Sequence, residues 1–180
     1  MSVPKAKIVS RLELTDSKPA YHIIKFPKAL LAEFNFKRNL RRVICSINGD
    51  APYHCAVFPA KSNYMITVNK ETRDRLGLAV GDEVRLEFVR DESEFGMPMP
   101  EELAEVLRQD DEGERLFRAL SPGNQRIMMK LIEYSKDEEK RIIRSLTGVE
   151  LLKKNDGKFD YHLQNNGMRV ACSMGMKFER

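Results

Sequence analysis

Through residues 5–89 the chain repeatedly alternates apolar and polar positions, the period of a half-buried strand. KAKIVSRLEL at 5–14 predicts one strand and AYHIIKF at 20–26 a second, with the turn cluster DSKP between them. Pro27 suits the first position of a short helix, where its missing N–H costs nothing. Ala29, Leu30, Leu31 and Phe34 give that helix one apolar face. Residues 40–47 and 51–58 predict two more strands around Asn48-Gly49-Asp50. Patterning selects the loop. A three-residue loop opposes Cys45 to Tyr53 and Val43 to Cys55, keeping the apolar faces together; a two-residue loop opposes Cys45 to Pro52 and mixes them. A strand at Tyr64–Val68 follows. Asn69 caps a short helix, Lys70–Leu76, which Gly77 ends, and Gly81-Asp82 turns the chain into a last strand, Glu83–Val89.

The final strand–helix–strand unit, Asn63 to Arg90, has a looser copy about 42 residues earlier. Two copies in one chain predict a small pseudo-symmetric β-barrel of six mostly antiparallel strands over residues 1–95. At EFGMPMP (94–100) two prolines and a glycine mark a linker, and the apolar period changes to that of helices. Helices are predicted at 101–109, at 112–120, from Pro122 behind the cap Ser121, and from behind the cap Asp137 to about Lys154. The last should present Ile142, Leu146, Val149 and Leu152 or Lys153. The fold class is therefore α+β: a barrel domain, 1–95, then a helical module, 96–157. In the tail, 158–180, Phe159, Tyr161 and Leu163 alternate, Asn165-Asn166-Gly167 reads as a turn, and Met168, Val170 and Cys172 alternate again, which predicts a hairpin.

Composition narrows the classes. The chain has 180 residues, 42% apolar and 32% charged, in the range of a folded globular protein. No apolar run is long enough to cross a bilayer, and the N-terminus has no signal-peptide pattern, so a cytoplasmic location is expected. Cys45, Cys55 and Cys172 form no CxxC pair and no ligand spacing with His22, His54 or His162, so no metal or other cofactor is expected. Net charge is +4, divided as +4 over 1–95, −2 over 96–157 and +2 over 158–180.

Tyr21-x-x-x-x-Phe26-Pro27, Ile47-Asn48-Gly49 with Phe58-Pro59, and Gly77-Leu78-x-x-Gly81-Asp82-x-Val84 mark the first half. Met99-Pro100-Glu101-Glu102-Leu103, Phe117-x-x-Leu120-Ser121 and Ile132-x-x-Ser135-Lys136-x-x-Glu139-x-Arg141-x-x-Arg144 mark the second. Together they resemble the YdeI/OmpD-associated (bacteriocin-protection) family, whose N-terminal half is a β-domain of unknown function. The chain departs from that family at Ser135, Lys140 and Ser145, where Ala, Thr and Ile are usual. The resemblance implies a link to resistance against antimicrobial peptides and no established reaction. A local resemblance covers Ile66 to Val84, which is similar to the half-barrel of swapped-hairpin (AbrB-like) transition-state regulators and antitoxins. It implies a double-split barrel and raises DNA binding as an alternative.

Lys37, Arg38, Arg41 and Arg42 form the densest basic cluster, and Lys136, Arg141 and Arg144 recur at a helix start. Both are candidates for an anion or an acidic partner, because Arg presents a planar fork of donors to oxyanions. Arg73 and Arg75 on the second short helix are the nucleic-acid candidates. No serine or aspartate stands at recognisable spacing from His22 or His54, so no catalytic residue is assigned. The expected function is a non-enzymatic cytoplasmic binding or stress-resistance module that recognises a peptide or protein; the alternative is a DNA-binding transcriptional regulator of the swapped-hairpin type.

Overall fold

The structure is a computed structural model and describes residues 3–36 and 41–174. It divides into two compact units, Met1–Gly96 and Met97–Arg180.

The first unit holds seven antiparallel strands: β1 (Lys5–Leu14), β2 (His22–Pro27), β3 (Arg42–Ile47), β4 (Tyr53–Ala56), β5 (Phe58–Ala60), β6 (Asn63–Thr67) and β7 (Glu83–Arg90). They pair in the order β4-β3-β7-β1-β2-β6-β5. The two ends of that order, β4 and β5, are one stretch of chain interrupted at Val57, whose N–H donates to the Arg41 carbonyl. The sheet therefore nearly closes into a barrel. Six strands were predicted; the seventh arises because the run at 51–58 changes partner midway, from β3 to β6. β1 makes the same change without a break, pairing with β7 from Lys5 to Arg11 and with β2 from Leu12 to Leu14.

The duplication is visible in the pairing. Exchanging β2 with β6, β3 with β7, and β1 with β4–β5 returns the same set of strand pairs, with β2–β6 and β3–β7 mapping onto themselves. The two-fold of this topology passes near the facing pair Ile24 and Ile66. Leu12, Ile24, Val43, Cys45, Ile66 and Leu86 are fully buried at the barrel's centre. Each large apolar side chain among them contributes roughly 1.5–3 kcal/mol. The expected register Cys45 to Tyr53 and Val43 to Cys55 is observed. Between the strands of each copy lies a short helical segment. The first is a 3₁₀ turn, Lys28–Phe34, that buries Leu31 and Phe34. The second is α1 (Lys70–Leu76), where the Asn69 side chain accepts from the Thr72 N–H and Gly77 takes a left-handed conformation.

The second unit is helical: α2 (Glu101–Gln109), α3 (Asp111–Ala119), α4 (Pro122–Glu133), α5 (Glu138–Lys154) and α6 (Tyr161–Met174). Asp110, Ser121 and Asp137 cap α3, α4 and α5 through their side-chain oxygens. α5 is central and touches the other four helices. Of the expected face, Val149 and Leu152 are buried, but Ile142 is exposed and Leu146 only half-buried, and Ile143, Arg144, Ser145, Thr147 and Gly148 are buried as well. A helix packed on several sides hides small and polar positions that a single apolar stripe does not reveal.

The tail is not a hairpin over its described part. Residues 161–174 form α6, with Gln164, Met168 and Ala171 buried at helical spacing. Asp160 starts it by accepting from the Leu163 N–H at 2.8 Å. Gly167, read as a turn residue, instead allows close approach: a Cβ there would lie 2.5 Å from Leu151 Cδ1. Among the described residues no helix is long and apolar enough to cross a membrane.

Candidate functional site

The predicted basic residues are mostly committed to the protein itself. Lys37 and Arg38 lie outside the described residues. Arg42 leaves β3 on its outer face and donates from Nε and Nη2 to the Gly96 carbonyl, at 3.1 and 2.7 Å. Burial lowers its pKa, and the nearby Cys55 and Asp91 act in the opposite direction. Arg41 stands apart from Arg42: its guanidinium lies over the Tyr64 ring, 5.8 Å from the centroid.

In the helical unit Arg141 donates from Nε to Glu102 at 2.7 Å and from Nη1 to the carbonyls of Ser135 and Lys136. Arg144 is buried, donates to the Leu131 carbonyl and stacks near Tyr134. Lys136 is exposed. Arg141 and Arg144 thus tie the α4–α5 connection together, and their donors do not converge on a common anion position.

The two nucleic-acid candidates also have intramolecular partners. Arg73 Nη1 meets His22 Nε2 at 3.1 Å, and because guanidinium only donates, that imidazole nitrogen accepts. Arg75 donates from Nε to Asp50 at 3.0 Å and from Nη2 to the same oxygen. The Arg75 guanidinium holds the Asp50 carboxyl below the usual carboxylate range.

No aspartate stands at recognisable sequence spacing from His54, yet the fold brings one to it. His54 Nδ1 meets Asp91 Oδ2 at 2.8 Å, and the Asp91 side chain has no solvent exposure. Asp91 Oδ1 also accepts from the Ser93 N–H and hydroxyl. Burial works against the Asp91 charge, but the hydrogen bonds from Ser93 and His54 outweigh it and depress the pKa. His54 and Asp91 are 37 positions apart, on β4 and just past β7, so no local spacing signals the pair. In the core, Cys45 and Cys55 are free thiols, and the contact with Cys55, with burial, pushes the Cys45 thiol up. Such a thiol is a hydrophobic filler. Among the described residues no group of three or more His, Cys, Asp or Glu is placed to hold a metal ion.

One recess in the helical unit stands out. Met99, Pro100, Glu101, Glu102, Glu133 and Arg141 line a cavity of about 260 Å³. It opens at the first turn of α2, beside the end of α4 and the start of α5. Its lining carries three carboxylates and one arginine, and one of those carboxylates, Glu102, is paired with the arginine. Of its lining, Arg141 stands among the anion candidates and Met99-Pro100-Glu101-Glu102 among the family motifs, but nothing in the sequence brings them together with Glu133.

Residues 10–88 match a family described as Domain of unknown function (DUF1905). Residues 96–155 match the family described as Bacteriocin-protection, YdeI or OmpD-Associated. A comparison with curated proteins returns no match. The two matches fall in the order and at the places that the sequence motifs indicate, and every residue lining the acidic recess lies within the second.

Proposed function

Since the chain belongs to the YdeI/OmpD-associated, bacteriocin-protection family, we propose that it is a non-enzymatic cytoplasmic binding module whose helical unit recognises a peptide. The carrying observation is the acidic recess of Met99, Pro100, Glu101, Glu102, Glu133 and Arg141. At about 260 Å³ it falls below the ~300–1,000 Å³ of ordinary small-molecule pockets. That size suits one long side chain. Glu101, which lines the recess beside the Glu102–Arg141 pair, selects a cation, and Met99 and Pro100 supply apolar walls for the methylene stem of a lysine or arginine. A cationic peptide presents such side chains, which agrees with the link to bacteriocin protection in the family's description.

Titration calorimetry of the full chain with a cationic antimicrobial peptide tests this reading. Binding should weaken about tenfold, ~1.4 kcal/mol, in Glu101→Gln and in Glu133→Gln. Equal binding by wild type and both variants, or no binding of any cationic peptide together with turnover of a small molecule, overturns it.

The DNA-binding alternative has less support. Arg73 and Arg75, the side chains it needs, are engaged with His22 and Asp50. A gel shift at low salt decides it, because phosphate attraction is strongest there.

A further inference from the structure

The two copies of the barrel's repeated element differ in what their first lysine does. In the second copy Lys70 opens α1 and pairs with Asp74, four residues on. Its counterpart Lys28 opens the 3₁₀ turn, but the residue four on is Ala32, which has no carboxylate. Lys28 Nζ turns to the Lys61 carbonyl, 2.6 Å away, and stands 5.8 Å from the centre of the Tyr64 ring. The Arg41 guanidinium stands at the same distance from the same ring. The Tyr64 ring also lies against buried Phe26, with centroids 6.3 Å apart. At the two-fold-related position stands His22, which already receives Arg73.

Two cations that share one ring are at most about 12 Å apart. Lys61 adds a third charge from the exposed turn between β5 and β6. Among the described residues none of the three has a carboxylate within ion-pair distance, while Lys7, Lys25, Lys70, Arg75 and Arg90 of the same unit each have one. The backbone of Arg41 is fixed, since its carbonyl accepts the Val57 N–H where the barrel closes. Two cations without carboxylate partners at one aromatic ring, beside a third lysine on the exposed turn, suit a doubly charged oxyanion. The arginine fork addresses two of its oxygens, and the lysines act as point charges.

We propose that Lys28 and Arg41 at the Tyr64 ring, with Lys61 on the adjoining turn, form a binding site for a phosphate dianion, either free phosphate or the phosphoryl group of a small metabolite. The site is independent of the peptide reading of the helical unit. Full-length protein is titrated with inorganic phosphate, and separately with glycerol phosphate, at ionic strength held constant with chloride. Two-dimensional NMR follows the amides. Saturable shifts should centre on Lys28, Lys61 and Tyr64. Affinity should fall at least tenfold in the double variant Lys28→Gln, Arg41→Gln and stay unchanged in Lys70→Gln. Tighter binding of the monoester identifies a metabolite as the source, and equal binding identifies free phosphate. Shifts that chloride reproduces, or undiminished affinity in the double variant, overturn the proposal. If the double variant does not fold, Lys28→Gln and Lys61→Gln, both at exposed positions, give the same readout singly. Neither probe nor variant touches Glu101 or Glu133, so the two readings fail separately.

Discussion

The Arg42 guanidinium grips the Gly96 carbonyl with two donors, Nε at 3.1 Å and Nη2 at 2.7 Å, and lies so close to Gly96 that a Cβ there would sit 2.8 Å from Nε. The segment after β7 is thus held against the outer face of β3 by one side chain, and glycine is what lets that side chain in.

Gly96→Ala should therefore cost more than Gly77→Ala. Both glycines have left-handed φ, +74 and +61, where a Cβ costs about 1–2 kcal/mol. Only Gly96 also faces a clash, since nothing lies within 4 Å of a Cβ on Gly77. Urea denaturation of the two variants should show Gly96→Ala less stable by a further ~1–3 kcal/mol. Equal losses would mean that Arg42 yields freely.

Ile24→Ala and Ile66→Ala should each destabilise the first unit by about 2–5 kcal/mol, the range for deleting a buried aliphatic side chain. Both are fully buried and face each other across the β2–β6 pair. Because they touch, the double variant should depart from additivity by more than ~0.5 kcal/mol. Equilibrium unfolding of the four proteins measures the cycle. Additive losses would deny that this pair is a shared centre of the barrel.

Asp91 predicts the acid limit of the first unit. Its folded pKa is depressed. The stability it contributes is therefore full above the unfolded value of about 3.9 and is lost as pH falls through the still lower folded value. Circular dichroism against pH should show wild type losing stability below ~pH 4 more steeply than Asp91→Asn. Asn keeps the size of the side chain and removes the titration. Parallel acid profiles would show that Asp91 is not a source of the pH dependence.

Gly113→Ala reverses the usual helix rule. In an exposed helix the change gains up to about 1 kcal/mol. Gly113 is buried in α3, and a Cβ there would stand 2.4 Å from Val149 Cγ1 on α5. Valine is stiff at χ1 and cannot swing aside cheaply. A net loss of ~1–3 kcal/mol is expected by thermal or urea unfolding. A gain would show that α3 and α5 separate at little cost.

Arg144→Met should lower the stability of the helical unit by about 1–3 kcal/mol, because the Leu131 carbonyl near the end of α4 loses its buried donor. Amide hydrogen exchange should speed up at the end of α4 and the start of α5. Exchange rates equal to wild type would sink this account.

The sequence by itself determined most of the local structure. Alternation placed the strands and chose the hairpin register of Cys45 against Tyr53, because one face of a strand must be buried and a one-residue slip turns every side chain over. Asn69, Gly77, Ser121 and Asp137 marked helix ends, since their side chains or backbone conformations satisfy terminal groups locally. The internal copy announced the barrel. Tertiary structure decided what local period cannot encode. Residues 161–174 alternate like a strand yet coil into α6, because Met168 and Ala171 find a helical neighbour and Gly167 lets it approach. Asp91 reaches His54, and Lys28 and Arg41 meet at Tyr64, only once the barrel closes at Val57. Charges far apart along a chain have no sequence signature of their meeting, since folding, not spacing, sets the distances through which they act.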